Sequence, residues 1–193
     1  MLADSGNSVF EYQVMVVETN SMKKEEWIQA QVFTWSVLFL HSARILAIPL
    51  AILHKMGISY EALLVIFSGE GLDRGQFPTL ARIRDLFHEK AEEIQRGGYW
   101  YFAHRGIWWP ANEFAFIWLV QEGLIDAFYA EACMWLQHVV RGAWIKISED
   151  IIRDAVLLNR ALLKLPRETN DATIQLGWNV GELYQTILQG KSA

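Results

Sequence analysis

The feature that most constrains this chain is a long apolar run, Val32–Leu53, which polar residues interrupt near its middle. The interrupting residues are His41, Ser42 and Arg44. A charged residue at the centre of a bilayer costs about 2.5 kcal/mol or more, so a helix that carries Arg44 is better placed inside protein than inside lipid. The sequence therefore predicts a central helix from about Met22 toward Pro49, kinked and extended to His54, and no membrane partner.

Helical spacing of apolar residues recurs along the rest of the chain and defines the predicted fold class. We predict a mainly α protein with six or seven helices in an orthogonal or irregular bundle. A short N-terminal strand is predicted at Phe10–Val17, which is rich in Val, Tyr and Phe, and Thr173–Trp178 is a second strand candidate. Residues 1–9 are expected to be a mobile tail or a cloning remnant, and residues 10–190 a single helical domain. A lone strand leaves its backbone unpaired, which suggests that the chain belongs to something larger.

Charge and cysteine content exclude several classes of function. The 193 residues carry 17 Lys and Arg against 22 Asp and Glu, a net charge of −5, whereas a nucleic-acid binder would show a basic stripe. Cys133 is the one cysteine, so the chain cannot form an internal disulfide, a Cys-rich zinc site or a self-contained iron–sulfur cluster. The first residues lack the basic region of a secretory signal, and we expect a cytoplasmic protein.

Motifs for catalysis and metal binding fail on individual residues. No His has a Glu three positions before it, as a di-iron carboxylate bundle requires. His88 and Glu89 begin an HExxH zinc motif, but Glu92 stands where the second His is needed. Ser68 lacks the first glycine of GxSxG, because position 66 is Ile66. We therefore predict no catalytic, cofactor-binding or metal-ligating residue.

Two groups of residues remain as candidates for docking or for lining a substrate cavity. On the central helix, His41 and Arg44 share a face at (i, i+3), and a buried Arg44 would need either a structural ion pair or a polar ligand pocket. The segment Tyr99–Pro110 is too dense in aromatic residues for all of them to face one core, so it either plugs the space under a loop or lines a groove or partner surface. The candidates are Trp100, Tyr101, Trp108, Trp109, Glu113, His41 and Arg44.

Three segments together resemble a known family. They are Tyr12–Met22, which leads through Trp27 into the apolar helix ending Leu53-His54; Ile107–Ile117; and Thr173–Glu182. In order and spacing they are similar to the C-terminal region of radical SAM enzymes that carry a cobalamin-binding domain, the group described as magnesium-protoporphyrin IX monomethyl ester oxidative cyclase-like. The family typically has a Trp-Pro-Pro-acidic-Glu string where this chain has Trp109-Pro110-Ala111-Asn112-Glu113.

The resemblance implies an accessory C-terminal domain that packs on the radical SAM barrel of the same polypeptide and caps its substrate cavity. The family's cluster motif CxxxCxxC and a cobalamin motif DxHxxG do not occur in these residues. The [4Fe-4S] cluster, S-adenosylmethionine and cobalamin would therefore belong to the parent enzyme, a radical SAM oxidoreductase or methyltransferase, and the isolated chain would not be catalytic. The alternatives are a stand-alone helical module that binds a flat apolar ligand such as a tetrapyrrole, or a scaffold that forms a homodimer through exposed aromatic residues.

Overall fold

Helices dominate the computed structural model, which describes residues 14–69, 71–143, 146–165, 168, 171 and 173–190. The described helices and strands are α1 (Lys24–Val37), a π-helical segment (Leu38–Ser42), α2 (Ala47–Lys55), α3 (Tyr60–Ser68), α4 (Pro78–Gln95), β1 (Phe102–His104), β2 (Ile107–Trp109), α5 (Ala111–Gln121), α6 (Ile125–Gly142), α7 (Glu149–Leu162) and α8 (Val180–Leu188). The mainly α class is confirmed, with eight α-helices in the described part rather than six or seven.

The extra helix arises because the predicted central helix is broken. After α1 the chain passes through the π-helical segment and then turns, with Arg44 in the left-handed region at φ 60°. Leu46 N–H donates to Leu40 C=O across the turn at 2.9 Å. Among the described residues no single helix is long and apolar enough to cross a membrane. The required length and apolar character are met only by a bent pair, in which α1 with the π-helical segment meets α2 at 97°.

Of the two predicted strands, the N-terminal one is described only in part and the C-terminal one is not a strand. Residues 10–13 of the N-terminal candidate lie outside the described residues, and residues 14–17 form no ladder with any described segment. Val14 and Val16 are exposed there, whereas Met15 and Val17 are half-buried against the core. The second candidate, Thr173–Trp178, was wrong: it is irregular backbone leading into α8.

The sheet of the described chain lies instead in the aromatic segment. Strands β1 and β2 pair antiparallel, with Phe102 opposite Trp109 and His104 opposite Ile107. The two connecting residues, Arg105 and Gly106, have φ of 51° and 76°. Positive φ at both central positions is the signature of a type I′ turn, whose twist matches that of paired strands.

The core is divided between two clusters of apolar side chains. The larger cluster is formed by α1, the π-helical segment and α3 to α6, with further members on α2 and α7, and its largest fully buried members are Trp135, Phe39, Phe67, Phe87 and Phe128. The smaller cluster joins α2, α7 and α8 through Ile48, Ile52, Ala155 and Val180. The helix break thus lies at the junction between the two clusters.

Buried polar side chains on α6 and α7 hold the starts of other helices. Glu131 on α6 accepts hydrogen bonds from the N–H groups of Thr79 (2.8 Å) and Leu80 (3.0 Å) in the first turn of α4, and from the Thr79 hydroxyl at 2.6 Å. Asp154 on α7 accepts from the N–H groups of Gly177 (2.7 Å) and Trp178 (2.8 Å), just before α8. The first turn of a helix leaves N–H groups without partners inside that helix, so Glu131 fixes where α4 begins. Asp154 ties the segment that precedes α8 to α7.

Replacing Glu131 is therefore expected to destabilise the fold. Glu131→Ala leaves two backbone N–H groups and one hydroxyl unpaired in a buried site, which should lower the free energy of unfolding by about 3 kcal/mol. Glu131→Gln keeps one carbonyl oxygen as an acceptor and should therefore lower the free energy of unfolding by less than Glu131→Ala. The matched control is Glu122→Gln, an exposed residue at the end of α5, where we expect a change below about 0.5 kcal/mol. Urea denaturation measures all three, and equal midpoints for Glu131→Ala and the control would contradict the assignment.

Candidate functional site

The aromatic hairpin is tied to α4 by a buried lysine. Lys90 is 3% exposed, and its Nζ donates to the Glu93 carboxylate at 2.5 Å and to the carbonyl oxygens of Tyr99 (3.4 Å) and Tyr101 (3.3 Å). The same ammonium lies 4.2 Å from the centroid of the Phe102 ring, a cation–π geometry. One cation therefore positions the chain that enters the hairpin.

The inner face of the hairpin belongs to the fold. Phe102 stacks on Phe114 of α5 with ring centroids 4.3 Å apart and planes 9° from parallel. Trp100 meets Trp35 edge to face at 5.9 Å, and Trp109 lies opposite Phe102 in the ladder. Trp100, one of the predicted docking residues, is thus a half-buried side chain that attaches the hairpin to α1. Trp109, another of them, is half-buried on the same face of the hairpin as Phe102.

The outer face of the hairpin carries aromatic residues into solvent. Tyr99 and Trp108 lie with ring centroids 5.2 Å apart, and the exposed fraction of Trp108 is 51%. Tyr101 is exposed as well, and we call Tyr99, Tyr101 and Trp108 the aromatic patch. Ile107 is also exposed, but it lies opposite His104, on the same face of the ladder as Phe102 and Trp109. The interpretation as a plug under a loop describes the inner face of the hairpin. The outer face is exposed, and its role as a partner surface stays a prediction.

Glu113 contributes charge beside this hairpin. It is exposed in the first turn of α5, where a carboxylate interacts favourably with the positive end of the helix dipole. The predicted docking residues Tyr101, Trp108 and Glu113 are therefore all accessible.

His41 and Arg44 do not share a helical face, and Arg44 is not buried. The π-helical segment and the left-handed Arg44 redirect the chain, and both side chains are exposed. His41 meets the Tyr60 ring edge to face at 5.0 Å, and His54 stacks on Tyr60 at 4.4 Å. Burial, and then the nearby Tyr184, raise the pKa of Tyr60.

A cleft of about 300 Å³ opens beside Arg44, between α2, α7 and α8. Its wall includes Asn159 of α7, whose Oδ1 accepts from Ile48 N–H at 3.0 Å and whose Nδ2 donates to the carbonyl oxygens of Arg44 (3.1 Å) and Ile45 (2.8 Å). The Tyr129 hydroxyl donates to the same Ile45 oxygen at 2.8 Å. Asn159 and Tyr129 together hold the helix break in place.

Sequence reasoning missed the two residues that position these sites, although a signal was present. Lys90 lies three residues after Phe87 and four before Ile94, on the apolar stripe of α4. Asn159 lies seven residues after Ile152 on the buried side of α7. A polar residue on an apolar stripe is expected to be buried and paired.

Cys133 shows no sign of being a reactive thiol. It is half-buried at a groove between α6 and α7, and burial raises the pKa of its thiol. Because the thiolate is the reactive form, the geometry agrees with a packing role. Among the described residues no three His, Cys, Asp or Glu side chains are placed to hold a metal ion.

Comparisons with known proteins give no match: no family model, no curated protein and no solved structure matches this chain.

We predict that Lys90→Met loosens the hairpin selectively. The substitution keeps the apolar stem but removes the cation that binds two carbonyl oxygens and the Phe102 ring, so backbone amides of residues 102–109 should exchange with solvent about tenfold faster. Hydrogen–deuterium exchange with mass spectrometry measures this. Lys24→Met, at an exposed lysine of α1, is the control and should leave these amides unchanged. Unchanged exchange in Lys90→Met would show that the inner aromatic face alone holds the hairpin.

Alkaline pH is predicted to weaken the helix break through Tyr129. Burial raises the pKa of Tyr129 to about 12, although the hydrogen bond from Asn159 acts in the opposite direction. Because the folded pKa lies above the unfolded value of 10.0, this stabilisation is complete below pH 10 and is lost as the pH rises toward 12. Tyr129→Phe should lower the free energy of unfolding by about 1 kcal/mol at pH 8 and should reduce the decline in stability between pH 10 and 12. Urea denaturation across that range tests it, and parallel declines in both proteins would contradict it.

Proposed function

We propose that this chain is a helical accessory domain that docks on the radical SAM barrel of a cobalamin-dependent, oxidative cyclase-like enzyme and caps its substrate cavity. The support comes from the three-segment resemblance and from the exposed aromatic patch. The chain's own residues do not fit the cluster of such an enzyme, because a [4Fe-4S] cluster takes several thiolates and Cys133 is the one cysteine. The chemistry would be supplied outside these residues.

The aromatic patch is the observation that carries this proposal. Its hairpin is anchored on one face by Lys90 and by the stacking of Phe102 on Phe114, so the other face is presented in a fixed orientation. Exposed aromatic side chains next to each other favour association, since they bury large areas at low entropic cost. Covering this patch would stabilise a complex without rearranging the helices.

Residues 14–17 give a second, independent support. Val14 and Val16 point to solvent while Met15 and Val17 pack on the core, an alternation typical of an edge strand. No described segment pairs with it, and an unpaired extended backbone readily adds to the edge of another sheet. In the proposed assembly this segment would be a last strand of the barrel or an addition to it.

The domain would orient the substrate and exclude water from the substrate cavity. Cofactors perform the difficult chemistry in radical enzymes, while the surrounding protein orients the substrate and keeps solvent from reactive intermediates. An apolar, aromatic lid suits that role. No residue of this chain is proposed to transfer a proton or an electron.

Side-chain footprinting with hydroxyl radicals tests the docking. Tyr99 and Trp108 should react in the isolated chain and become at least about fivefold less reactive in the complete polypeptide that contains a barrel, because burial removes them from solvent. Trp178 is the matched control, since its exposed fraction, 51%, equals that of Trp108. Equal reactivity of Trp108 in both samples would contradict the proposal.

The coding sequence upstream of this segment gives the second arm of the test. We expect a CxxxCxxC motif in the same reading frame. If that motif is absent and the isolated chain forms a dimer that Trp108→Ser dissociates, the aromatic patch serves a homodimer, and the radical-enzyme proposal is overturned.

A further inference from the structure

The cleft beside Arg44 lies away from the aromatic hairpin and has a composition of its own. Five of its nine lining residues are apolar, and no Asp or Glu is among them. Its volume of about 300 Å³ is at the lower end of the range for small-molecule sites. The cleft therefore suits a small ligand with an apolar body.

Positive charge lines the same cleft. Arg44 and Lys164 both belong to its wall. Within the described ranges, no ion pair or side-chain hydrogen bond engages the Arg44 guanidinium. Lys164 Nζ lies 3.6 Å from Asp171, a carboxylate that does not line the cleft. A guanidinium presents two parallel N–H donors that match a carboxylate.

The backbone holds Arg44 in place before any ligand arrives. Its carbonyl oxygen accepts from Asn159 Nδ2, and its left-handed conformation is braced by Tyr129 through Ile45. At the start of α2 the Ile48 N–H already donates to Asn159 Oδ1. The anion would be recognised by the Arg44 guanidinium.

The exposed side chain of Leu162 at the cleft favours a ligand with a hydrocarbon part. Leu162 ends α7 with an exposed fraction of 65%, beside Leu163 and opposite Tyr184. A ligand that carries a short hydrocarbon body would remove Leu162 from water, at about 25 cal/mol per Å² of apolar surface. An inorganic anion would leave this surface uncovered.

We propose that the cleft formed by Arg44, Lys164, Leu162 and Tyr184 binds a small amphipathic carboxylate, with the carboxylate on Arg44 and the hydrocarbon on Leu162 and Ile48. This proposal is independent of docking on a barrel, since the cleft lies within one chain. Its failure leaves the accessory-domain proposal intact, and the reverse also holds.

Calorimetric titration of the chain with hexanoate, 1-hexanol and inorganic phosphate tests the proposal. Hexanoate should saturate at millimolar concentration and bind about tenfold more tightly than 1-hexanol, the difference expected for a charge-assisted hydrogen bond. Phosphate should bind more weakly than hexanoate because it covers no apolar surface. Equal binding of hexanoate and 1-hexanol, or binding of phosphate as tight as that of hexanoate, would overturn the proposal.

Two arginine variants locate the binding site. Arg44→Gln should reduce hexanoate affinity about tenfold, to the level of 1-hexanol, while Arg44→Lys should restore part of it. Arg105→Gln is the matched control, because Arg105 is also exposed and also has positive φ, and because the substitution removes the same charge. Equal losses in Arg44→Gln and Arg105→Gln would assign the effect to net charge and overturn the site. Chemical shifts of the Ala43 and Ala47 amides on hexanoate addition check the location in the wild-type chain, and unchanged shifts would also overturn it.

Discussion

Backbone N–H groups at the start of buried helices must find acceptors, and in this protein α6 and α7 provide them. Glu131 serves the first turn of α4, Asp154 serves the approach to α8, and Asn159 serves the first turn of α2. Each acceptor is remote in sequence from the groups it satisfies, so each is also a tertiary tie. The starts of α2 and α4 and the approach to α8 are thus positioned by α6 and α7, and both candidate sites depend on that placement.

The break in the central helix shows how such a tie changes the structure. A continuous helix would satisfy the backbone between Leu38 and Ala47 internally, whereas here the π-helical segment ends and the chain turns. Asn159 and Tyr129 make up for the lost helical hydrogen bonds, and the smaller apolar cluster between α2, α7 and α8 adds burial. The cleft beside Arg44 is a consequence of this arrangement, because a straight helix would have no such turn.

Local patterns predicted the helices well where a signal lies within a few residues. Ser59 caps α3 through the Ala62 N–H, Gly57 ends α2 with positive φ, and the stripe of α4 is buried as its spacing predicts. A kink was predicted in this helix, but the turn at Arg44 was beyond such patterns, since Asn159, which binds its carbonyl oxygen, is more than a hundred residues away in sequence. The same limit applies to Lys90. Its position on the apolar stripe of α4 indicated burial, but the carbonyl groups that it binds are placed by the fold of the hairpin segment.

The aromatic segment shows why composition alone left two interpretations open. In a hairpin, neighbouring residues point to opposite faces, so a dense aromatic sequence divides between the core and the solvent. Phe102 and Trp109 pack inward, and Trp108 faces outward. Since the inward residues and Lys90 already fix the hairpin, little conformational entropy is left to lose when the outward face is covered. The packing that stabilises the fold therefore also holds the exposed face of the hairpin in a fixed orientation, which is the physical basis for proposing a docking surface here.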